Sequence, residues 1–177
     1  MVKKLKNYIG GRWVESDASA YLPVVNPATC EIIAEVPDGT RADVDAAAKA
    51  AKAAFPEWRS TPVLSRAQYM YRLKALLEER FEELAEIVVK ENGKTRDEAR
   101  GEVRRGIESV DFAASVPVIM RNDGVEDIAS GIDETTVRQP VGVFAAITPF
   151  NFPAMVPMWF LPTAITCGNT FILKPSP

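Results

Sequence analysis

Apolar and polar positions along the chain fall into three regimes. From residue 8 to residue 36 the apolar side chains come in short extended runs separated by turn residues. Tyr8-Ile9 and Arg12-Trp13-Val14 flank Gly10-Gly11, Val24-Val25 leads into Asn26-Pro27, and Glu31 to Val36 follows, which predicts a small hairpin and a second pair of strands. Trp13 and Tyr21 are expected to cover one end of the core. A helical period then takes over. Thr40 with Asp43 three residues on forms a capping-box pattern, and Val44, Ala47, Ala48, Ala51 and Phe55 lie on one stripe that Pro56 is expected to end. Thr61-Pro62 opens a second helix in the order N-cap, then proline at the first helical position. Its stripe is Met70, Leu73 and Leu77, continuing at Phe81 and Leu84 in a further turn or a second short helix. Glu78, Glu79, Glu82 and Glu83 occupy its wet side, and Asn92-Gly93 marks the C-cap. Thr95 to Met120 is a third helical region with Ala99, Val103, Ile107, Val110 and Ala114 as its buried face, and Arg105 points away from that stripe.

Residues 121 to 140 return to short strand signals broken by Gly124 and Gly131, a hairpin with one polar face that suits pairing with another subunit. The third regime follows. Between Arg138 and Lys174 there is no Asp, Glu, Lys or Arg, although 25% of the chain is charged. Such a stretch is either a membrane span or the heart of an α/β core. Pro149, Pro153, Pro157 and Pro162, with the Gly168-Asn169 break, cut it into pieces too short for a continuous lipid-facing helix. Read as core, it is a strand-loop-helix-strand unit. Val141 to Ile147 is a strand buried on both faces, Thr148 to Pro153 a stiff loop, Ala154 to Cys167 a helix that Pro157 and Pro162 bend, and Phe171 to Leu173 the next strand. The fold class is therefore α/β with a right-handed crossover in a parallel sheet.

Composition narrows the functional classes. A net charge of −3 with no dense basic stripe argues against a nucleic-acid surface, and Arg100 to Arg105, interleaved with Glu98 and Glu102, reads as a solvated helix face. The opening MVKKLKNYIG lacks the apolar run of a secretory signal. Cys30 and Cys167 lie far apart and read as two buried or half-buried thiols in a reducing, cytoplasmic compartment. With no His, a His-based triad or metal site is excluded within these residues. The ending Lys-Pro-Ser-Pro, directly after an apolar strand and with no closing helix, reads as part of a longer protein.

Ligands of α/β sheets bind at the carboxyl ends of the strands, and both Thr148-Pro-Phe-Asn151 and Lys174-Pro-Ser lie there. Asn151, between Phe150 and Phe152 and flanked by Pro149 and Pro153, offers a neutral donor in a stiff apolar surround. That suits a developing oxyanion, or equally an amide tied to backbone groups of its own loop. Lys174 could donate to cofactor hydroxyls or phosphate, or simply carry its charge to water. No Gly-x-Gly-x-x-Gly phosphate cradle is present.

Together the strings Ile147-Thr-Pro-Phe-Asn-Phe-Pro153, Cys167-Gly-Asn-Thr and Leu173-Lys-Pro-Ser176 resemble the aldehyde dehydrogenase superfamily. Pro-Phe-Asn-Phe-Pro in place of the commoner Pro-Trp-Asn-Phe-Pro, with Gly101-Glu-Val-x-Arg-Gly-Ile-Glu108, is similar to the CoA-acylating methylmalonate-semialdehyde dehydrogenases. The resemblance runs from the Gly11-Arg-Trp hairpin through Val25-Asn-Pro-Ala28 to the end. It implies the amino-terminal third or so of that fold. Residues 1–120 would be the first part of the cofactor domain, 121–140 the oligomerisation arm, and 141–177 the first βαβ of a Rossmann-like sheet.

By the same resemblance Asn151 donates to the thiohemiacetal oxyanion and Phe152 lines the substrate tunnel. Thr148, Pro149 and Phe150 match the nicotinamide side of an NAD site, Lys174 and Ser176 belong to the motif at the adenosine ribose, and Arg105 matches an arginine that grips the substrate carboxylate. Pro177 stands where the family pattern has a ribose-binding Glu, which removes an acceptor and leaves NAD against NADP open. The nucleophilic Cys of the family matches neither Cys30 nor Cys167. The activity implied is NAD-dependent oxidation of methylmalonate or malonate semialdehyde to an acyl-CoA, with CoA as co-substrate, in a homotetramer. These 177 residues alone are expected to be inactive. The alternatives are another semialdehyde dehydrogenase, or a non-catalytic homologue that associates with intact subunits.

Overall fold

The computed structural model describes residues 2–176. Five short strands come first: β1 (Lys3–Lys4), β2 (Asn7–Ile9), β3 (Arg12–Val14), β4 (Tyr21–Val25) and β5 (Ile32–Pro37). The hairpin β2–β3 closes through Gly10 and Gly11, both at positive φ, as their sequence requires. β5 lies between β4, antiparallel, and β1, parallel. Trp13 does not cover the core: it is 69% exposed and packs at a tilt against Tyr8, because a two-stranded ribbon has no second layer to bury it.

The helical layer is α1 (Arg41–Ser60), α2 (Val63–Glu79), α3 (Phe81–Asn92), α4 (Arg96–Ala114) and the single turn α5 (Val116–Ile119). Thr40 and Asp43 form the expected capping box. The Asp43 carboxylate also accepts from Ser16 Oγ at 2.8 Å and Asn7 Nδ2 at 3.1 Å, so one helix start pins the amino-terminal ribbon. Two expectations for α1 fail. Val44 is 62% exposed, and the helix runs through Pro56 to Ser60. Proline sacrifices one intrahelical bond. The turn beyond it is held from outside, since Trp58 Nε1 donates to the Ile165 carbonyl at 2.9 Å and Arg66 donates to the Arg59 and Thr61 carbonyls. α2 begins one residue later than Thr61-Pro62 suggests, with Pro62 itself at the N-cap.

The core sits among α2, α3 and α4. Ala99, Val103, Ile107 and Val110 are sealed, Ala114 is nearly so, and Met70, Leu77, Ala85 and Val88 close over them. This is the stripe that the 3.6-residue period specifies. Gly93 ends α3 at φ 80°. A Cβ there would lie 2.6 Å from Pro27 Cγ, so the turn between α3 and α4 admits glycine on both conformational and steric grounds.

The hairpin β6 (Asp123–Ala129) and β7 (Ile132–Thr136) follows, exposed throughout. β8 (Val143–Ile147), α6 (Met155–Thr166) and β9 (Thr170–Lys174) form the crossover unit, and β8 and β9 pair in parallel from Val143↔Thr170 to Ile147↔Lys174. β8 is not buried on both faces: Val143 and Phe144 are exposed and Ile147 is 84% exposed, as is Val141 just before the strand. Its apolar run records what the strand is suited to pack against. Among the described strands, however, it has one neighbour, and α1 and α6 lie chiefly against β9. Pro157 occupies the third position of α6, where no intrahelical N–H is needed, so only Pro162 removes a bond from the helix.

Hydrogen bonds from Thr40 N–H, then from Ser16, hold the Asp43 carboxyl below its ordinary value of 3.8. A depressed folded value means that the stabilisation is complete above the unfolded value and is lost as pH falls through the folded one. Asp43→Ala should therefore cost about 1 kcal/mol in urea unfolding at neutral pH. The gap to wild type should stay flat down to about pH 5 and close in stronger acid.

Candidate active site

The loop after β8 leaves the sheet at its carboxyl end, beside the end of β9. Thr148 is buried; its N–H donates to the Lys174 carbonyl at 3.1 Å and its hydroxyl to the same oxygen at 3.5 Å. The two predicted cofactor segments are thereby joined at one edge. Pro149, Phe150, Asn151 and Lys174 are exposed, while Phe152 and Ser176 are half-buried. Pro177 lies outside the described residues.

The loop backbone is held by side chains from the α3–α4 turn. Asn92 Nδ2 donates to the Phe150 carbonyl at 2.8 Å. Lys94 Nζ donates to the Asn151 carbonyl at 2.5 Å and sits 3.9 Å from the centroid of the Phe152 ring. The same ammonium donates to Glu102 Oε2 at 2.5 Å. Glu102 comes from the middle of α4 and its side chain is wholly buried. Its Oε1 accepts from the N–H groups of Ala154, at 2.8 Å, and Met155, at 3.1 Å. α6 has no side-chain cap of its own, so Glu102 supplies both the missing acceptor and a negative charge at the positive end of the helix. With these groups satisfying the loop backbone, the Asn151 side-chain amide makes no hydrogen bond among the described residues. It is not consumed by its own loop.

The far end of α6 is held in a similar way. Arg66, 4% exposed, donates through Nε to the Thr166 carbonyl at 2.8 Å. Gly168, at φ 97°, lets the chain pass over the guanidinium, whose Cζ would lie 3.1 Å from a Cβ. Asn169 Oδ1 accepts from the N–H groups of Val141 and Gly142, and its Nδ2 donates to the Ala164 carbonyl, which locks the start of β8 to the end of α6. Burial draws the Arg66 guanidinium below its usual value. Burial also pushes the neighbouring Cys167 thiol up, against the opposing pull of the Arg66 charge.

Arg105 projects off the core stripe, as expected, and is exposed. It lines a shallow groove of about 570 Å³ between α4 and α6 with Glu108, Ser109, Phe112, Trp159 and Thr163. Its guanidinium forms no hydrogen bond or ion pair among the described residues.

Two readings of the sequence need correction. Glu102 is not on a solvated face: it lies within the apolar stripe, three residues after Ala99 and next to Val103, and that placement was the available signal. Cys30 is exposed rather than buried, at φ 60° in an early turn. Asn92 and Asn169 were readable as turn residues but not as braces, and Lys94 and Arg66 carried no local signal, because the groups they hold at the loop and at α6 lie far along the chain. Among the described residues no group of three or more His, Cys, Asp or Glu could hold a metal ion, and no helix is long and apolar enough to cross a membrane.

Residues 13–177 match the model of the aldehyde dehydrogenase family. The chain belongs to the aldehyde dehydrogenase family. It is 54% identical over 175 residues to a malonate-semialdehyde dehydrogenase of Bacillus pumilus (strain SAFR-032), covering 99% of this chain and 36% of that protein. The crystal structure of a methylmalonate-semialdehyde dehydrogenase from Oceanimonas doudoroffii superposes with a TM-score of 0.95 at 42% identity, over 99% of this chain and 36% of that one. A Sinorhizobium meliloti 1021 protein, crystallised with NAD and assigned as a methylmalonate-semialdehyde dehydrogenase, gives the same values. This aldehyde dehydrogenase chain thus spans a little over a third of the length of these relatives.

The bracing of α6 has a measurable cost if removed. Arg66→Met leaves the Thr166, Arg59 and Thr61 carbonyls without their donor and should lower unfolding stability by about 3 kcal/mol in a denaturant titration. The exposed control Arg72→Met should stay within about 0.5 kcal/mol.

Proposed function

We propose that this chain works within a longer NAD-dependent dehydrogenase that oxidises methylmalonate or malonate semialdehyde to an acyl-CoA. The activities for which the similar proteins are named support that substrate class. The observation that carries the site assignment is Asn151, an amide free of side-chain partners on a loop whose backbone is fixed from three sides.

In this reading the attacking thiolate comes from outside the 177 residues. As it adds to the aldehyde carbon, negative charge gathers on the aldehyde oxygen. Asn151 Nδ2 donates to that oxygen, and because the loop is already braced, little reorganisation is needed when the charge appears. Phe152 walls the substrate passage. Arg105, exposed and unpaired, binds the carboxylate that distinguishes these semialdehydes from simple aldehydes. A guanidinium suits that task because its planar fork matches two carboxylate oxygens.

The fit of a dinucleotide rests on the joined ends of β8 and β9. Lys174 offers an exposed ammonium to ribose hydroxyls, with Ser176 beyond it, while Thr148, Pro149 and Phe150 form a wall at the same edge. NAD, when bound, supplies the hydride acceptor. CoA takes the acyl group in the last step, so the product is a thioester. Residues 1–120 and 141–177 belong to the cofactor domain. The 121–140 hairpin, which exposes Val125, Ile128 and Ile132, serves as an arm between subunits of a cytoplasmic homo-oligomer. Because neither Cys30 nor Cys167 matches the nucleophilic Cys of the family, the 177 residues alone are expected to be inactive.

Steady-state kinetics of the full-length dehydrogenase test both residues. Asn151→Ala should lower kcat by about 10²–10³-fold while NAD affinity stays within about twofold. Arg105→Leu should raise KM for the carboxylated aldehyde by about tenfold or more, consistent with loss of a charge-assisted pair. An unchanged kcat in the first variant removes the oxyanion role, and an unchanged KM in the second removes the clamp.

A further inference from the structure

We infer that Lys94 and Glu102 are positioning residues for the Asn151 amide, acting on it through the loop backbone. The inference rests on the oxyanion role proposed above for Asn151. Its basis is a single ammonium–carboxylate pair that reaches both sides of the loop. Lys94 Nζ holds the carbonyl of Asn151, and Glu102 Oε1 holds the amides of Ala154 and Met155. The pair itself closes between Nζ and Oε2. The carbonyl at residue 151 and the amides at 154 and 155 are therefore tied to one rigid unit. The peptide plane after Asn151 cannot rotate without breaking a charge-assisted bond, and such bonds are roughly twice as strong as neutral ones.

Three further features make this a positioning device rather than an incidental ion pair. The Glu102 side chain has no exposure and that of Lys94 is 17% exposed, so neither can exchange its partner for water at low cost. The Lys94 ammonium also lies over the Phe152 ring, which fixes the residues on both sides of the 151–152 peptide. And because the Asn151 side chain makes no hydrogen bond among the described residues, the backbone that carries it is the anchor that limits where its amide can reach. A displacement of about 1 Å at a reacting group can cost on the order of 10²-fold in rate. A backbone anchor 2.5 Å from the Asn151 carbonyl controls displacements on that scale.

The test is a double-mutant cycle on kcat in the full-length dehydrogenase. Lys94→Met should lower kcat by about 10- to 100-fold. KM for the aldehyde and the NAD dissociation constant should each change less than about threefold, because neither ligand touches Lys94 in this reading. Lys94→Arg, which can reach both oxygens, should recover most of the loss. Placed on Asn151→Ala, Lys94→Met should add less than about threefold, since the group it positions is gone. Glu102→Gln keeps an acceptor for the two amides but removes the counter-charge, and should give a smaller loss in kcat along the same non-additive line.

An unchanged kcat in Lys94→Met, or a loss that multiplies in full with that of Asn151→Ala, overturns the inference. If Asn151→Ala itself leaves kcat intact, the oxyanion role fails. Hydrogen exchange then still decides the positioning. The Ala154 and Met155 amides should exchange about tenfold faster or more in Lys94→Met while Val110 in α4 is unaffected, and equal rates at Ala154 and Met155 count against it.

Discussion

A carboxylate with no exposure must find a counter-charge and a full set of donors, and Glu102 finds both at the start of α6. Removing that carboxylate would leave two helix amides without their acceptor and an ammonium without its counter-charge, each of which is costly away from water. The helical layer therefore does more than cover the crossover unit. Through Glu102 and Lys94 it determines where α6 begins, and through Arg66 and Trp58 it determines where α6 ends. β8 and β9 pair directly with each other, the helix between them is fixed at both points, and Asn169 ties its second end back to the first strand. The chemistry proposed for Asn151 calls for a loop that stays still beside a strand end, and here that stillness originates two helices away.

Local and long-range terms divide the structure unevenly. The core of α2, α3 and α4 is an ordinary apolar stripe, and Gly106 lets α6 approach α4 closely, with Met155 and Met158 opposite it. Around that apolar centre the contacts to α6 are polar and specific. Surface pairs such as Arg104 with Glu78 or Arg100 with Glu82 decorate the outside of the same layer and contribute little individually. The buried Lys94–Glu102 pair and the Arg66 bonds fix geometry, whereas the surface pairs do not.

Much of this was legible in the sequence, and what was not has physical causes. The α4 face was readable because Ala99, Val103, Ile107 and Val110 keep the helical period, and the Gly10-Gly11 and Gly93 turns because glycine adopts their positive φ at least cost. The strings around Asn151 and Lys174 pointed to the family. Pro56 was misread because the force that carries α1 past it is Trp58 bonding to Ile165, 107 residues later. Glu102 was misread because a charge among charges resembles a wet face until its partners, 52 and 53 residues away, are known. β8 was misread because an apolar run states what a strand can pack against, not which neighbours are present beside it.

The sequence distance spanned by these braces has a kinetic consequence. α3, α4 and the turn between them are built from neighbours in the chain, and contacts of that kind form early at low entropic expense. The bonds that orient Asn151 connect residues 57 positions apart, and those at the far end of α6 connect residues 100 and 107 apart. Closing loops of that length comes late. The helical layer can thus assemble while residue 151 is still undirected, and the loop acquires its geometry only at the moment α6 docks. Binding competence and the last step of folding become one event.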